Sequence, residues 1–195
     1  MMNVAANPPP KEITVNQTAY GANTDFRVWL TVSDLLCDLN LDTNNQADCL
    51  KAVAGLSRLV FGRVINEPAG DILSAVVSFY KGYPKAERGG LGGTANGERI
   101  FSFKYDINYI ILAIRNQSGI DLSYRRTEPF HWWEFLLEIE TLEDRHAICK
   151  IMGYRAYGGE NKELLMLKQK YALPENRLGV RAGEELAKFS GLFYG

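Results

Sequence analysis

The chain has 195 residues, a formal net charge of −1, and 46% hydrophobic against 23% charged residues. This length is sufficient for one well-packed core, and the composition excludes an intrinsically disordered chain. The small net charge also argues against a protein that binds nucleic acid mainly through phosphate contacts, because such binding favours a basic face.

The remaining composition argues against disulfides, membrane spans and a signal peptide. Cys37, Cys49 and Cys149 are odd in number and show no CxxC spacing, so we expect reduced thiols. No apolar run approaches the roughly 18 residues that a membrane span needs. The opening "MMNVAANPPP" has no charged and apolar signal pattern, and its prolines cannot join a helix or sheet ladder. We therefore expect residues 1–10 to form a flexible tail.

The first predicted element is a short β-hairpin in "KEITVNQTAYGANTDF". Ile13, Val15 and Gln17 alternate with polar residues, as they do in a half-buried strand, and polar residues with Gly21 then favour a turn. The sequence therefore predicts a two-stranded ribbon before the first helix.

Apolar residues at helical spacing predict three helices in the first half of the chain, over about residues 25–39, 47–61 and 68–81. Asn23 or Thr24 can cap the first helix. Leu50 is expected to point inward from the second helix, and Gly62 lies near its end. Pro68 suits the first turn of the third helix, because the amide hydrogen that proline lacks has no partner there.

A glycine-rich stretch, "GYPKAERGGLGGTANGE", follows over residues 82–98. It contains "GLGGTA", which fits the relaxed dinucleotide-binding pattern GxGxxA. That chemistry requires a buried strand before the loop and a helix after it, but here a helix and Pro84 precede the pattern and no βαβ unit surrounds it. We therefore predict an exposed loop rather than a phosphate site.

Further helices are predicted over about residues 106–118, 129–140, 141–152 and 160–171, with one more short helix within 182–193. Asp106 and Pro129 mark the starts of the first two, and Thr141 with Asp144 resembles a capping box for the next, which should close before Gly153. The predicted fold is mainly α, with seven or eight short helices and a minor β-hairpin. We expect one domain over residues 11–172 and a C-terminal extension over 173–195.

No arrangement of side chains predicts an active site. His131 and Glu134 share a helical face, but the only other histidine is His146 and no HExxH pattern occurs. Cys149 lies near His146 without an orienting third group, and there is no GxSxG elbow. The sequence therefore predicts a protein that is not an enzyme, with no catalytic residues, no metal and no cofactor.

The tryptophan pair in "HWWEF" has two interpretations. Trp132, Phe135, Leu136 and Ile139 share one stripe of the predicted helix, and Trp133 lies about 100° round from it. This broad apolar arc favours a central core helix. In the alternative interpretation, one tryptophan stays exposed and receives a partner helix or subunit.

Five motifs in this order resemble the gene-product-fifteen family of tailed bacteriophages and prophages, over roughly residues 11–172: "NTDFRVWL", "FSFKYDINYI", "GIDL", "HWWEF" and "KIMGYR". The succession of "HWWEF" and "KIMGYR" is the most specific part of the resemblance. The glycine-rich loop and the segment after Pro174 match no pattern of that family.

The resemblance implies a role in tail morphogenesis rather than catalysis. Such proteins are typically encoded between the major tail protein and the tape-measure protein, a position that belongs to tail assembly chaperones. We therefore expect a chaperone that binds and solubilises the tape-measure protein in the cytoplasm of the infected or lysogenic host. It would be absent from the mature virion. The alternative is a structural head-to-tail connector or tail completion protein that the virion retains.

The expected partners are the tape-measure protein, the major tail protein as a second candidate, and further copies of the chain in an oligomer or spiral. No nucleic acid and no membrane are expected as partners. The candidate partner-binding residues are Trp132, Trp133, Met152, Tyr154 and Arg155. The candidate hinge residues, set beside charge that we expect to be exposed, are Gly153, Gly158 and Gly159. The competing interpretation of this last region, a packed corner between two helices, is the one we favour.

Overall fold

The computed structural model describes residues 8–38, 46–83, 99–123 and 126–174. Its elements, in chain order, are β1 (Glu12–Val15), β2 (Thr18–Gly21), α1 (Phe26–Asp38), α2 (Gln46–Phe61), α3 (Ala69–Tyr80), α4 (Phe103–Ser118), α5 (Trp132–Glu140), α6 (Ala147–Ala156) and α7 (Lys162–Tyr171). The predicted class, mainly helical with a short N-terminal hairpin, is confirmed. Most of the predicted tail over 1–10, most of the glycine-rich loop over 82–98 and the helix predicted within 182–193 lie outside the described residues.

Backbone contacts divide the chain into two compact units. The first comprises Met1–Ala86 with Glu128–Leu137, and the second comprises Glu87–Thr127 with Glu138–Gly195. Helix α5 thus contributes its first residues to one unit and its last residues to the other. The expectation of a single domain over residues 11–172 stays a prediction.

The hairpin of the first unit turns through Asn16 and Gln17, which both have positive φ angles of 46° and 70°. Such a two-residue turn matches the right-handed twist of the paired strands. The predicted hairpin is confirmed, but its turn precedes Gly21, which pairs with Glu12 in the ladder. Val15 on the inward face is buried, and β1 packs against α3.

Helix α1 begins one residue after its cap, Asp25. The Asp25 carboxylate accepts the backbone N–H of Arg27 at 2.9 Å and also pairs with the Arg27 guanidinium. The prediction that Asn23 or Thr24 caps this helix is therefore wrong. The Asn23 side chain instead accepts the N–H of Asp25 at 3.1 Å, which orders the residues just before the helix.

Helix α2 ends as predicted at Gly62, whose φ of 71° suits a residue without a Cβ. The inward prediction for Leu50 is wrong, because its side chain is 51% exposed. Buried Ser57 then organises the loop to α3, since its hydroxyl donates to the Arg63 carbonyl and accepts the N–H of Ile65.

In the second unit, α4 begins at Phe103 and not at Asp106, so the predicted cap is wrong. Asp106 lies in the first turn of the helix, and its carboxylate accepts the N–H of Ser102 at 2.9 Å. The predicted end is confirmed, because Gly119 adopts a φ of 73° and donates to the Arg115 carbonyl.

Helix α6 begins at Ala147, so the predicted capping box of Thr141 with Asp144 is wrong. Residues 141–146 form a connection held by Gln117, whose side chain donates to the Thr141 carbonyl and accepts the N–H of Glu143. The helix also runs through Gly153 to Ala156, contrary to the predicted end. Gly153 is exposed within the helix, where it makes no special turn.

Candidate interaction surface

The two adjacent tryptophans of "HWWEF" lie inside the first unit. Trp132 is fully buried and Trp133 is 8% exposed. The ring of Trp132 stacks on Tyr80 at 5.3 Å between centroids, and the ring of Trp133 packs on Phe79 at the same distance. Both side chains thus occupy the interior position that the core interpretation requires. Partner binding through either ring stays a prediction.

Both indoles also donate hydrogen bonds to the end of α3. Trp132 Nε1 donates to the Tyr80 carbonyl and Trp133 Nε1 to the Phe79 carbonyl, each at 2.8 Å. The last carbonyls of a helix have no partner within it. The Phe79 carbonyl also accepts the N–H of Gly82 at 3.1 Å, so the indole of Trp133 is its second donor. Two successive tryptophans on α5 therefore match two successive carbonyls on α3.

His131 fixes the start of α5 and is not arranged as a metal ligand. Its Nδ1 accepts the N–H of Trp133 at 3.0 Å, so Nε2 carries the hydrogen and donates to the Pro10 carbonyl at 2.9 Å. Burial lowers the pKa of His131, which favours this neutral form. Among the described residues, no group of three or more His, Cys, Asp or Glu side chains could hold a metal ion.

Arg155 holds together three parts of the second unit. Its guanidinium pairs with both Asp106 carboxylate oxygens, at 2.6 and 3.0 Å, and donates to the carbonyls of Ile100 and Tyr171. Both side chains of the pair are buried. The expectation of exposed charge at Arg155 is therefore wrong, because its donors already serve internal acceptors. Its role in partner binding stays a prediction.

The other candidates in this region form the corner between α6 and α7. Tyr154 stacks on Tyr171, and Met152 is half-buried. A Cβ at Gly159 would come within 2.7 Å of Tyr157 Cζ, while one at Gly158 would meet nothing. The Tyr157 hydroxyl accepts the N–H of Asn161 at 3.0 Å. These contacts describe a packed corner, and hinge motion there stays a prediction.

An exposed apolar stripe lies on α4, where no partner-binding residue was predicted. Tyr105, Tyr109 and Leu112 follow one another at i, i+4 and i+7 and are 44%, 43% and 44% exposed. We call these three residues the α4 stripe. The opposite side of the helix, which includes Ile110 and Ile114, is buried. Two apolar faces on one helix produce the continuous apolar run "YIILAI" over residues 109–114, and that run is the sequence feature that could have indicated a second apolar face.

The rest of the exposed face of α4 is polar and basic. Lys104 and Arg115 lie on one flank of the α4 stripe, Asn108 lies between that flank and the stripe, and Asn116 lies in line with the stripe one turn beyond Leu112; all four are exposed. The only carboxylate within the helix is that of Asp106, which is buried against Arg155. This face can therefore pack against an apolar surface and attract negative charge, but it offers no catalytic group.

Helix α7 offers a second, smaller apolar exposure in the same unit. Met166 is 69% exposed, and α7 contains no buried residue. Helix α7 packs against α6, and its Leu164 and Leu167 are half-buried, while Leu165 and Met166 are exposed. Exposed methionine is common on surfaces that bind several apolar partners, because its side chain adapts its shape.

A sequence model of the family described as "Bacteriophage Gp15 protein" matches residues 9–173, which include every strand and helix from β1 to α7. The chain belongs to this bacteriophage family. No curated protein and no solved structure matches the chain. Within the described part of the chain, no helix of this Gp15 family member is long and apolar enough to cross a membrane.

Proposed function

We propose that this Gp15 family member is a non-catalytic tail assembly chaperone that binds the tape-measure protein and keeps it soluble during tail morphogenesis. Membership of a bacteriophage family supports a role in the assembly of a phage particle. The α4 stripe is the observation that supports the activity, because it presents an apolar helical surface of the kind that a second helix can cover.

The dimensions of the α4 stripe suit a helical client. From Tyr105 to Leu112 the stripe covers two helical turns, or about 10 Å along the axis. A tape-measure protein is long and helical and carries apolar stripes, whose exposure to water costs about 25 cal/mol per Å². A short contact on each chaperone covers part of such a stripe and still permits release.

Many copies would bind one long client more firmly than a single copy does. Each contact raises the effective concentration of the next one along the same filament. The proposal therefore includes self-association of the chain into an oligomer or spiral, for which exposed Leu165 and Met166 on α7 offer an apolar contact. Light scattering on the purified protein with and without a tape-measure fragment measures this assembly; a monomer in both samples would contradict it.

The non-catalytic part of the proposal is supported by what the two imidazoles already do. His131 is held between Pro10 and Trp133, and His146 Nε2 lies 3.1 Å from the Gln117 side-chain oxygen. Burial also raises the pKa of Cys149, which keeps that thiol in its less reactive protonated form.

Co-expression with a tape-measure fragment tests the activity. The wild-type chain should keep the fragment in the soluble fraction, and the double variant Tyr109→Ser with Leu112→Ser should lose most of this effect. Leu50→Ser is the matched control, because Leu50 is similarly exposed but lies on α2 in the other unit. Circular dichroism checks that all three proteins are folded.

Two outcomes would contradict the proposal. If the wild-type chain leaves the fragment insoluble, the chaperone activity is absent. If the double variant and Leu50→Ser retain equal activity while both are folded, the α4 stripe is not the surface that carries it.

A further inference from the structure

We propose that the α4 stripe selects an amphipathic helix whose apolar seam is flanked on one side by two carboxylates about three turns apart. The inference rests on the proposed function, since the client would be a helix of the tape-measure protein. It adds the charge and spacing that the client must present. Two observations support this inference. Lys104 and Arg115 are exposed cations on α4, and no exposed carboxylate lies between them on that helix.

The two cations stand on the same side of the helix. Lys104 and Arg115 are about three helical turns apart, which separates them by about 16 Å along the axis and returns them to within about 20° of one direction. Both side chains are exposed, and both lie on the same flank of the α4 stripe. A partner helix that covers the stripe therefore passes both cations on one of its edges.

These charges are available to a partner. Among the described residues, neither Lys104 nor Arg115 forms an ion pair, although the Lys104 ammonium lies 6.0 Å from the Tyr105 ring centroid. The carboxylate of Asp106 is turned inward to Arg155, so it does not offset them. The exposed amides of Asn108 and Asn116 are neutral. The free charge on this face is thus wholly positive.

A helix fits this face better than a nucleic acid does. Tyrosines beside cations also occur where single-stranded bases stack. Here, however, Leu112 forms one end of the stripe, where it offers a contact for an apolar side chain and no ring for a base. The spacing of Tyr105, Tyr109 and Leu112 also matches the seam of a packed helix pair.

Two synthetic helical peptides with the same leucine seam test the inference. One carries glutamates at two positions three turns apart beside the seam, and the other carries lysines there. Fluorescence anisotropy with the full-length chain should show that the glutamate peptide binds about tenfold more tightly, because two attractive pairs replace two repulsive ones. Affinity for it should fall as salt is added.

A charge-reversed chain makes the test specific to this face. Lys104→Glu with Arg115→Glu should bind the glutamate peptide about tenfold more weakly than wild type and should prefer the lysine peptide. The control, Lys51→Glu with Arg58→Glu, makes the same change in net charge at two exposed positions of α2 and should behave as wild type. Melting curves verify folding of both variants.

Several outcomes would overturn the inference. Equal binding of the two peptides to the wild-type chain, no binding of either, or an unchanged preference in the charge-reversed chain would each do so. Binding of a single-stranded oligonucleotide that competes with the glutamate peptide would assign the face to another class of partner.

The failure of this inference is distinct from failure of the proposed function. If the wild-type and charge-reversed chains both keep a tape-measure fragment soluble, the proposed function stands and the charge selection fails. If the glutamate peptide binds as expected but the fragment stays insoluble, the charge selection stands and the proposed client is wrong.

Discussion

Replacing Arg155 with methionine should severely destabilise the second unit. The guanidinium makes two bonds to Asp106 and one each to the carbonyls of Ile100 and Tyr171. Methionine fills a similar volume without donating, so the Asp106 carboxylate would remain buried without its counter-charge. The side chains of this pair are only 7% and 2% exposed, so water cannot replace the lost donors.

The magnitude follows from that burial. Removing one partner of a buried ion pair costs about 3–5 kcal/mol, because a charge is left uncompensated in a medium of low polarity. The two carbonyls that lose their donor add to this cost. Since a native protein has a total stability of about 5–15 kcal/mol, the variant should lose a large fraction of it. Urea unfolding followed by circular dichroism at 222 nm measures the loss.

A double substitution separates the ion pair from simple packing. Arg155→Met with Asp106→Leu removes both charges, so it should be more stable than Arg155→Met alone, even though it carries one more change. Arg155→Lys should fall between wild type and Arg155→Met, because one ammonium cannot reproduce the planar fork. A loss below about 1 kcal/mol for Arg155→Met, or a double variant with the summed loss of the two single variants, would refute the reasoning.

Four further outcomes are expected. Gly82→Ala should destabilise the chain by about 1–3 kcal/mol in urea unfolding, since a Cβ at this φ of 78° would lie 2.7 Å from Leu136 Cδ1; an unchanged midpoint would contradict the close approach. Trp133→Phe should cost about 0.5–1.5 kcal/mol by the same assay, because the indole hydrogen bond to the Phe79 carbonyl is lost while that carbonyl keeps the N–H of Gly82, and a neutral effect would contradict a stabilising role for this bond. Stability should fall as pH drops below about 6.5, because the pKa of His131 is lowered in the folded chain and the unfolded chain therefore binds the proton first. His131→Gln should reduce the change in unfolding free energy with pH. If the variant shows the same pH dependence as wild type, another titrating group causes it. Mass spectrometry of mature virions should find no stoichiometric amount of this chain, whereas a full ring of copies would favour a connector.

The helices themselves were largely predictable from local chemistry. Apolar residues recur at helical spacing in α1, α2, α3 and α7, and Gly62 and Gly119 end their helices as predicted, because a positive φ disfavours residues with a Cβ. Caps were less predictable. The Asp25 carboxylate caps α1, but Ser102 and His146 precede α4 and α6 without a side-chain cap hydrogen bond, so no capping side chain marks those two starts in the sequence.

The candidate surface was not predictable in the same way. Tyr109 and Leu112 belong to an apolar run that covers both faces of α4, Tyr105 lies one turn before that run, and periodicity does not reveal which face the rest of the unit covers. Local sequence also did not reveal whether Arg155 is exposed. Its position near Gly158 and Gly159 indicated a charge on the surface. Its burial depends on a carboxylate 49 residues away and on two carbonyls that only folding brings near.

By itself, the sequence determined the helical class, the hairpin, most helix ends and the bacteriophage family, because all four depend on residue types at short spacings. Only the tertiary structure decided that the paired tryptophans serve the end of α3, that Arg155 is internal, and that α4 presents its tyrosines outward. Each of those facts depends on which distant residues meet, and burial is a property of the neighbours as much as of the residue itself.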